Sequence, residues 1–443
     1  MGRFRKGNDL NQAFLLPPSI KDWLPKEHLA WFINDAVDEL DVDEIVDAYR
    51  MCGKGELAYE PRMMLKVLIY SYCTGIFSSR KIEQQLEESV AFRVLARNQV
   101  PAHRTIRRFR EKHIDKFEEL FVQVVRVATS AGLTKLGTVA VDGSKVKANA
   151  SKHKAMSYER MQSEEKRLRK EIAALTKLAA EEDAAEDIEF GPDFRGDEIP
   201  EELANRETRL KKIREAKKRL EERKAAEEKE ERERRAREAL EEGREPPKPR
   251  KRTHAPGRPK PKDQENFTDS DSRIMKLSGG FEQCYNAQAA VDDHEQIIVA
   301  SDVTNCAADN DQLIPLLEAA MANTGQPVGS ALADAGYRSE QNLQTLEAAR
   351  IDAYVSLGRE RKDRQPHGPH LPATARMHRK LKTRRGRTRY RKRKHIAEPV
   401  FGWIKSVLGF RSFGMRGIEK ARGEWALVCL AINLRRMSKL QTA

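Results

Sequence analysis

The stretch Thr138-Val-Ala-Val-Asp142-Gly-Ser144 decides the fold prediction. Its β-branched and small residues run into one carboxylate, and a glycine follows, so we expect a buried strand that ends at Asp142. The stretch Ser330-Ala-Leu-Ala-Asp334-Ala-Gly336 repeats the pattern far along the chain. A strand that ends in an aspartate is common, so neither stretch alone indicates a site. Their places in the order of predicted elements make them informative.

The other periodic segments set these two strands in a defined order. From residue 138 onward we expect a strand, a charged insertion, two strands joined by a turn, and then helix, strand, helix, strand and a closing helix. This is the order of an RNase H-like fold, an α/β class with a mixed sheet flanked by helices. The predicted strands cover 138–142, 283–291, 296–303, 330–334 and 352–356, and the predicted helices cover 309–321, 339–349 and 397–405.

Three carboxylates lie at matching points of this topology. The first and fourth strands are neighbours in such a sheet, so Asp142 and Asp334 should converge, and the closing helix can bring Glu398 across from them. We expect Pro399 in the first turn of that helix. Converging carboxylates repel each other unless cations neutralise them, and oxygen ligands suit Mg²⁺ or Mn²⁺. Two such ions can support in-line attack at a phosphodiester.

The net positive charge is concentrated just before Glu398. The chain of 443 residues has 83 Lys+Arg against 69 Asp+Glu, a formal net charge of +14. Thirteen of the Lys and Arg residues lie in 364–397, a segment without Asp or Glu. Arginine suits bidentate contacts to phosphate, so we expect the basic segment 376–395 to follow DNA beside the three carboxylates.

Composition excludes several classes of protein. No apolar run approaches the ~18 residues of a membrane-spanning helix, and the N-terminus lacks a signal-peptide core. The five cysteines have no CxxC spacing, which argues against a zinc ribbon or a disulfide framework. We therefore expect a reduced, intracellular and soluble protein.

An all-helical N-terminal domain is predicted over 1–130. A helix carrying Ile82, Leu86 and Val90, a turn over 98–101 and a basic helix over 103–113 outline a helix-turn-helix. The basic helix could enter a major groove, or it could be a basic surface helix that packs on its neighbours. Its candidate DNA-binding residues are Arg104, Arg107, Arg108 and Arg110.

The other predicted domains follow from charge and proline content. The catalytic domain covers 131–154 and 266–410, and a C-terminal helix covers 411–443. Residues 201–245 contain sixteen basic and fifteen acidic residues, so their charge is almost balanced. We predict that 155–245 forms an inserted, coiled-coil-like helical hairpin, a solvated arm without chemistry. Residues 246–265 contain six prolines and many basic residues, so we expect an extended linker there.

Seven separated motifs lie along the chain, at 60–70 with 75–80, 105–110, 139–151, 266–276, 285–292, 332–337, and 398–402 with 422–435. In these motifs the sequence resembles the DDE transposases of bacterial insertion sequences, specifically the 1182 family with an InsH-type N-terminal domain. The resemblance carries the family's catalytic and metal-binding triad over to Asp142, Asp334 and Glu398. Tyr390, Arg393, Glu398 and Lys405 approximate the family's tyrosine–arginine–glutamate–lysine signature, with Lys394 at the usual arginine position.

The resemblance implies an enzyme that binds the terminal inverted repeats of its element, hydrolyses a phosphodiester there with two Mg²⁺ or Mn²⁺ ions, and joins the freed 3′-OH to target DNA. It also implies a homodimer in the synaptic complex and a place at the nucleoid of the bacterial cytoplasm. Lys405 would hold a phosphate near the cleaved end. The DNA-binding residues expected near the triad are Arg384, Arg385, Arg387, Arg389, Tyr390, Arg393, Lys394 and Lys405.

Three alternatives remain open from the sequence. The chain could be an inactive or domesticated DNA-binding relative, although its intact carboxylates argue against this. It could be a metal-dependent nuclease without strand transfer. It could also be a coiled-coil scaffold in which the sheet is only structural.

Overall fold

The computed structural model describes residues 19–49, 57–190, 201–241, 257–358 and 371–441. The chain divides into two compact units, one formed by Met1–Lys147 with Tyr285–Ala443 and the other by Ala148–Cys284. None of the helices in the described ranges is long and apolar enough to cross a membrane.

The secondary structure is mostly helical. The strands are β1 (Val139–Lys147), β2 (Ala155–Ser157), β3 (Gln264–Asn266), β4 (Arg273–Leu277), β5 (Gly280–Asp292), β6 (Ile298–Thr304), β7 (Ser330–Ala333) and β8 (Asp352–Val355). The α-helices are α1 (Leu29–Glu39), α2 (Asp43–Asp47), α3 (Pro61–Cys73), α4 (Ser79–Glu88), α5 (Val90–Leu95), α6 (His103–Lys112), α7 (Lys116–Ser130), α8 (Tyr158–Phe190), α9 (Glu201–Glu241), α10 (Leu313–Thr324), α11 (Glu340–Ala348), α12 (Pro372–Lys382), α13 (Arg384–Arg391), α14 (Arg393–Gly402) and α15 (Ile418–Gln441).

The sheet of the first unit confirms the predicted fold class. Strand β1 lies between β5 and β7, and β8 follows β7, with β1, β7 and β8 parallel. Strands β4 and β6 both pair antiparallel with β5, which gives a sheet of six strands. The first strand therefore lies beside the fourth of the predicted order. Helices α10 and α15 pack against β6, α11 packs against β8, and α14 packs against β1. The result is a mixed sheet flanked by helices.

The sequence pattern predicted that strand β1 ends at Asp142, but the strand is longer. It continues through Gly143 to Lys147. A side chain at position 143 would collide with the amide of Gln288 on β5. Glycine at position 143 therefore leaves room for the Gln288 side chain, and it does not terminate the strand.

The N-terminal helices differ from the predicted helix-turn-helix in one detail. Helix α4 ends at Glu88 and α5 begins at Val90, so Val90 is 42% exposed and lies outside the apolar face of Ile82 and Leu86. The predicted turn is present, with Asn98 in the left-handed region at φ 60. Helix α6 follows it and packs against α4.

The helix that carries Glu398 begins earlier than predicted. Helix α14 starts at Arg393, so Pro399 lies in its interior and not in its first turn. Proline has no N–H to donate to the carbonyl of residue 395. The carbonyl of His395 accepts instead from Gln296 Nε2 at 2.7 Å, which replaces the lost helical hydrogen bond. A π-helical turn, Trp403–Val407, follows directly.

The second unit contains the predicted antiparallel helical hairpin. Tyr158 at the start of α8 bonds Glu221, whereas Glu171 further along α8 bonds Arg206, which lies earlier on α9. The two helices therefore run in opposite directions. Their shared apolar cluster contains Met161, Leu168, Leu210, Ile213 and Ala216.

The predicted linker over 246–265 is only partly within the described residues, because 246–256 lie outside them. The remainder is not an extended linker. Gly257 N donates to Glu228 Oε2 of α9 at 3.3 Å, and the carbonyl of Asp263 accepts from Tyr158 N at 2.8 Å. Residues 264–266 then form β3, which pairs with β2.

Candidate active site

The parallel pairing of β1 with β7 brings two aspartates to the same part of the sheet. Val141 is paired with Ala333, so the next residues, Asp142 and Asp334, lie side by side. Each carboxylate has a local backbone donor. Asp142 Oδ1 accepts from Gly143 N at 2.9 Å, and Asp334 Oδ1 accepts from Gly336 N at 2.8 Å.

Arg393 links the third carboxylate to the first. Its Nη1 lies 3.1 Å from Asp142 Oδ2, and its Nη2 lies 3.3 Å from Glu398 Oε1. The Arg393 side chain is 13% exposed, whereas Glu398 is 49% exposed. One guanidinium thus bridges two of the three predicted catalytic side chains and is shielded from water.

The three carboxylates also interact electrostatically. Burial raises the pKa of Asp142 to about 6, although the positive charge of Arg393 opposes this effect. The negative charges of Asp334 and Glu398 add to the increase. Burial alone would lower the pKa of Arg393, but the neighbouring anions outweigh it and raise that pKa.

This donor set fits hard divalent cations. It consists of carboxylate oxygens, the ligands that Mg²⁺ and Mn²⁺ prefer, and one positive charge already lies between two of them. In the described part of the chain, no three His, Cys, Asp or Glu side chains are gathered closely enough to form a ready metal cage. The fit therefore rests on the carboxylate chemistry and on the position of the Arg393 charge.

A buried polar network lies beside Asp142 and Asp334, and the sequence did not predict it. Gln288 donates to Asp309 Oδ1 at 2.8 Å and accepts a hydrogen bond from the hydroxyl of Tyr337. Asn286 donates to the same Asp309 oxygen at 2.6 Å. Burial, and then the negative charge of Asp309, raise the pKa of Tyr337, so its hydroxyl remains protonated. The sequence carries a partial signal, because Asn286 and Gln288 alternate with apolar residues along β5, but nothing in it relates these two amides to Asp309.

The predicted DNA-binding residues of α6 divide into two groups. Arg104, Arg107 and Arg108 are exposed. Arg110 is 7% exposed, and its Nη1 donates to the hydroxyl of Tyr72 at 3.0 Å and to a backbone carbonyl at 2.8 Å. The structure therefore places the Arg110 guanidinium inside the protein and not on the exposed face of α6.

The predicted basic segment 376–395 forms helices, and part of its charge is neutralised. At least four of its basic residues have acidic partners: Arg376 with Glu347, Lys380 with Asp352, Lys392 with Asp293, and Arg393 with Asp142 and Glu398. Arg384, Arg385 and Arg387 on α13 and Lys394 on α14 are exposed, whereas Arg389 and Tyr390 are partly buried. The exposed charge is therefore greatest on α13.

Lys405 faces β1 from the π-helical turn. Its ammonium donates to the carbonyl oxygen of Lys145 at 3.2 Å, and the residue is partly buried. Of the predicted signature, Arg393, Glu398 and Lys405 therefore all lie near β1, and only Arg393 directly bridges carboxylates.

Comparison with known proteins identifies the class. Residues 18–112 match the transposase domain DUF772, and residues 252–434 match the transposase DDE domain. No curated protein matches, and no solved structure matches. The two domain matches cover well over half of the chain, so it belongs to the DDE transposases, enzymes that cleave and transfer DNA. Their order is consistent with the 1182-type architecture.

The DDE match begins at residue 252, after helix α9, so it omits β1 and Asp142. In the structure, β1 pairs with β7 inside the matched region. The sheet thus supplies the aspartate that the sequence match lacks. Transposases of this family use divalent metal ions and bind DNA.

Proposed function

We propose that the protein binds the terminal inverted repeats of an insertion sequence, hydrolyses one phosphodiester at each end and joins the freed 3′-OH to target DNA. The observation that supports this most directly is the convergence of Asp142 and Asp334 on adjacent parallel strands, with Glu398 linked to Asp142 through Arg393. Water would attack phosphorus, the bond from phosphorus to the 3′ oxygen would break, and that oxygen would leave with a proton as 3′-OH. The oxygen of the same hydroxyl would then attack a target phosphorus and lose its proton, and the target's bond from phosphorus to its 3′ oxygen would break, so that a target 3′-OH leaves with a proton.

Each side chain has a role in this proposal. Asp142, Asp334 and Glu398 would hold two Mg²⁺ or Mn²⁺ ions, which would supply Lewis-acid activation of the nucleophile and neutralise charge at the phosphate. Arg393 would keep Asp142 and Glu398 together before DNA arrives. Lys405 would bind a phosphate near the cleaved end. Juxtaposition of two element ends further implies a homodimer in the synaptic complex.

Product mapping tests the proposed reaction. The full chain is incubated with Mg²⁺, a labelled duplex that carries one element end, and a supercoiled target plasmid. We expect a nick that leaves a 3′-OH at the element's end and a product in which this end is joined to the plasmid. Cleavage without joined product would instead indicate a nuclease, and binding without cleavage would indicate a DNA-binding relative.

The exposed arginines of α13 are expected to dominate the salt dependence of DNA binding. The logarithm of the binding constant falls as the logarithm of the salt concentration rises. Replacing Arg384, Arg385 and Arg387 with Gln should make this fall less steep by about two to three units of slope, because each lost phosphate contact removes about 0.9. Titrations of a fluorescent end duplex between about 50 and 200 mM salt measure this slope.

The matched control is Arg376→Gln in the same basic segment. Arg376 is already paired with Glu347, with its Nε 3.0 Å from Glu347 Oε1, so this change should leave the slope nearly unaltered. Equal slopes for wild type and the triple variant would show that α13 does not follow the DNA backbone.

A further inference from the structure

Lys145 is a cation at the candidate site that belongs neither to the triad nor to the signature. It lies on β1, the strand that carries Asp142, and its side chain is 26% exposed. Its ammonium lies 3.4 Å from Asp309 Oδ2. An ammonium has three N–H donors, and Asp309 takes one of them.

Asp309 is held firmly in place. Its Oδ1 accepts from the amides of Asn286 and Gln288, which are both fully buried, and its own side chain is 15% exposed. Two neutral donors therefore fix one oxygen of this carboxylate and leave the other, Oδ2, directed at Lys145.

Asp309 also lies next to a member of the triad. A Cβ placed on Gly336 would be 2.8 Å from Asp309 Oδ2 and 3.0 Å from Asp334 Oδ1. The two carboxylate oxygens thus both lie close to the same glycine. The oxygen that contacts the Lys145 ammonium is therefore one that faces the catalytic edge of the sheet.

A second lysine approaches β1 at the backbone of Lys145. The ammonium of Lys405 donates to the carbonyl oxygen of Lys145 at 3.2 Å, so the side chain of one lysine lies against the backbone of the other. The site consequently has positive charge from β1 and from the turn after α14, beside the carboxylates that attract cations.

We propose that Lys145 binds a phosphate of the DNA strand at the three carboxylates, and that Asp309 is the positioning residue that holds Lys145 there. This inference rests on the proposed function, because it assumes that DNA phosphate reaches the triad.

The test uses the full chain, a labelled duplex carrying an element end, and the variants Lys145→Gln, Lys145→Arg and Asp309→Asn. Lys135→Gln is the matched control, because Lys135 is exposed, precedes β1 and undergoes the same charge change. Binding is measured in EDTA across a salt series, and cleavage is measured in single-turnover reactions with Mg²⁺. Melting temperatures should stay within about 3 °C of wild type.

Lys145→Gln should make the salt dependence of binding less steep by about one unit of slope, and it should lower the cleavage rate about 100-fold. Lys145→Arg should bring the slope back to the wild-type value. Asp309→Asn should slow cleavage while leaving the slope near wild type, and adding it to Lys145→Gln should cause no further loss, because both changes act through one ammonium.

The inference is overturned if Lys145→Gln matches Lys135→Gln in both slope and rate. A loss of melting temperature with unchanged binding would also overturn it, since that result assigns Lys145 a structural role. If the wild type binds but does not cleave, the proposed function fails, and the salt slope of Lys145→Gln still decides whether Lys145 contacts phosphate.

Discussion

Replacing Asp142 with Asn is expected to lower the rate of Mg²⁺-dependent end cleavage by about 1000-fold or more, which corresponds to about 4 kcal/mol of transition-state stabilisation. The variant removes one negative ligand at the point where β1 meets β7. It should bind the end duplex as well as wild type does. Single-turnover cleavage and EDTA binding titrations measure the two effects separately.

The fold should tolerate this substitution. Burial and the neighbouring carboxylates raise the pKa of Asp142 to about 6, so its negative charge is disfavoured in the folded protein. A neutral amide removes that repulsion, and Arg393 keeps Glu398 as a partner. We expect a melting temperature within about 3 °C of wild type.

Asp302→Asn is the control for the Asp142 variant. Asp302 lies on β6 and pairs with Arg422 at 3.1 Å, away from the triad, so cleavage should persist. Cleavage by Asp142→Asn at a tenth of the wild-type rate or faster would rule out a catalytic role for Asp142.

Replacing Arg110 with Met is expected to destabilise the fold by about 3–5 kcal/mol, because it leaves a buried carboxylate without its nearby cation. Glu424 is 1% exposed and accepts from the hydroxyl of Tyr72 at 3.1 Å and from Gly414 N at 2.8 Å. Arg110 donates to the same hydroxyl at 3.0 Å. Urea unfolding monitored by circular dichroism measures the loss.

The deficit of the Arg110 variant should grow as pH rises. Burial raises the pKa of Glu424, whereas Arg110 lowers it, so loss of Arg110 raises this pKa further. The folded variant would then bind more protons than the unfolded chain at pH values above the ordinary glutamate pKa. Stability therefore falls with increasing pH in that range. Adding Glu424→Gln should recover part of the loss.

Arg108→Met provides a matched comparison on the same helix. Arg108 is exposed, so its loss should change stability by less than about 0.5 kcal/mol. Weakened DNA binding without destabilisation in Arg110→Met would reverse the assignment and restore Arg110 as a DNA contact.

The convergence of the two aspartates could be predicted because it depends on local patterns and one topological rule. Hydrophobic runs that end in Asp142 and Asp334 are visible in the sequence, and the order of elements makes their strands neighbours. The buried polar network around Asp309 could not be predicted in the same way. Gln288 and Asp309 meet through side-chain contacts that no spacing encodes.

Where the structure differs from the local patterns of the sequence, the physical cause is a distant partner that overrides a local rule. Proline favours the first turn of a helix, but Gln296 satisfies the carbonyl that an interior Pro399 leaves without a donor. An arginine on a basic helix suggests a contact with DNA. Arg110, however, lies four residues after Ile106 and shares the buried face of α6 with Ile106 and Phe109. The helical periodicity thus placed Arg110 on the buried face of α6, whereas nothing in the sequence indicated its acidic partner, Glu424.

The separation of β1 from β7 along the chain delays assembly of the active centre during protein synthesis. Asp142 emerges from the ribosome long before Ser330–Ala333, the strand that must lie beside β1, and Glu398 follows later still. At about 5–20 residues per second, the interval between the first and last carboxylate lasts roughly 13–50 s. In the proposed function, a nascent chain would therefore hold all three carboxylates only after residue 398 has been made.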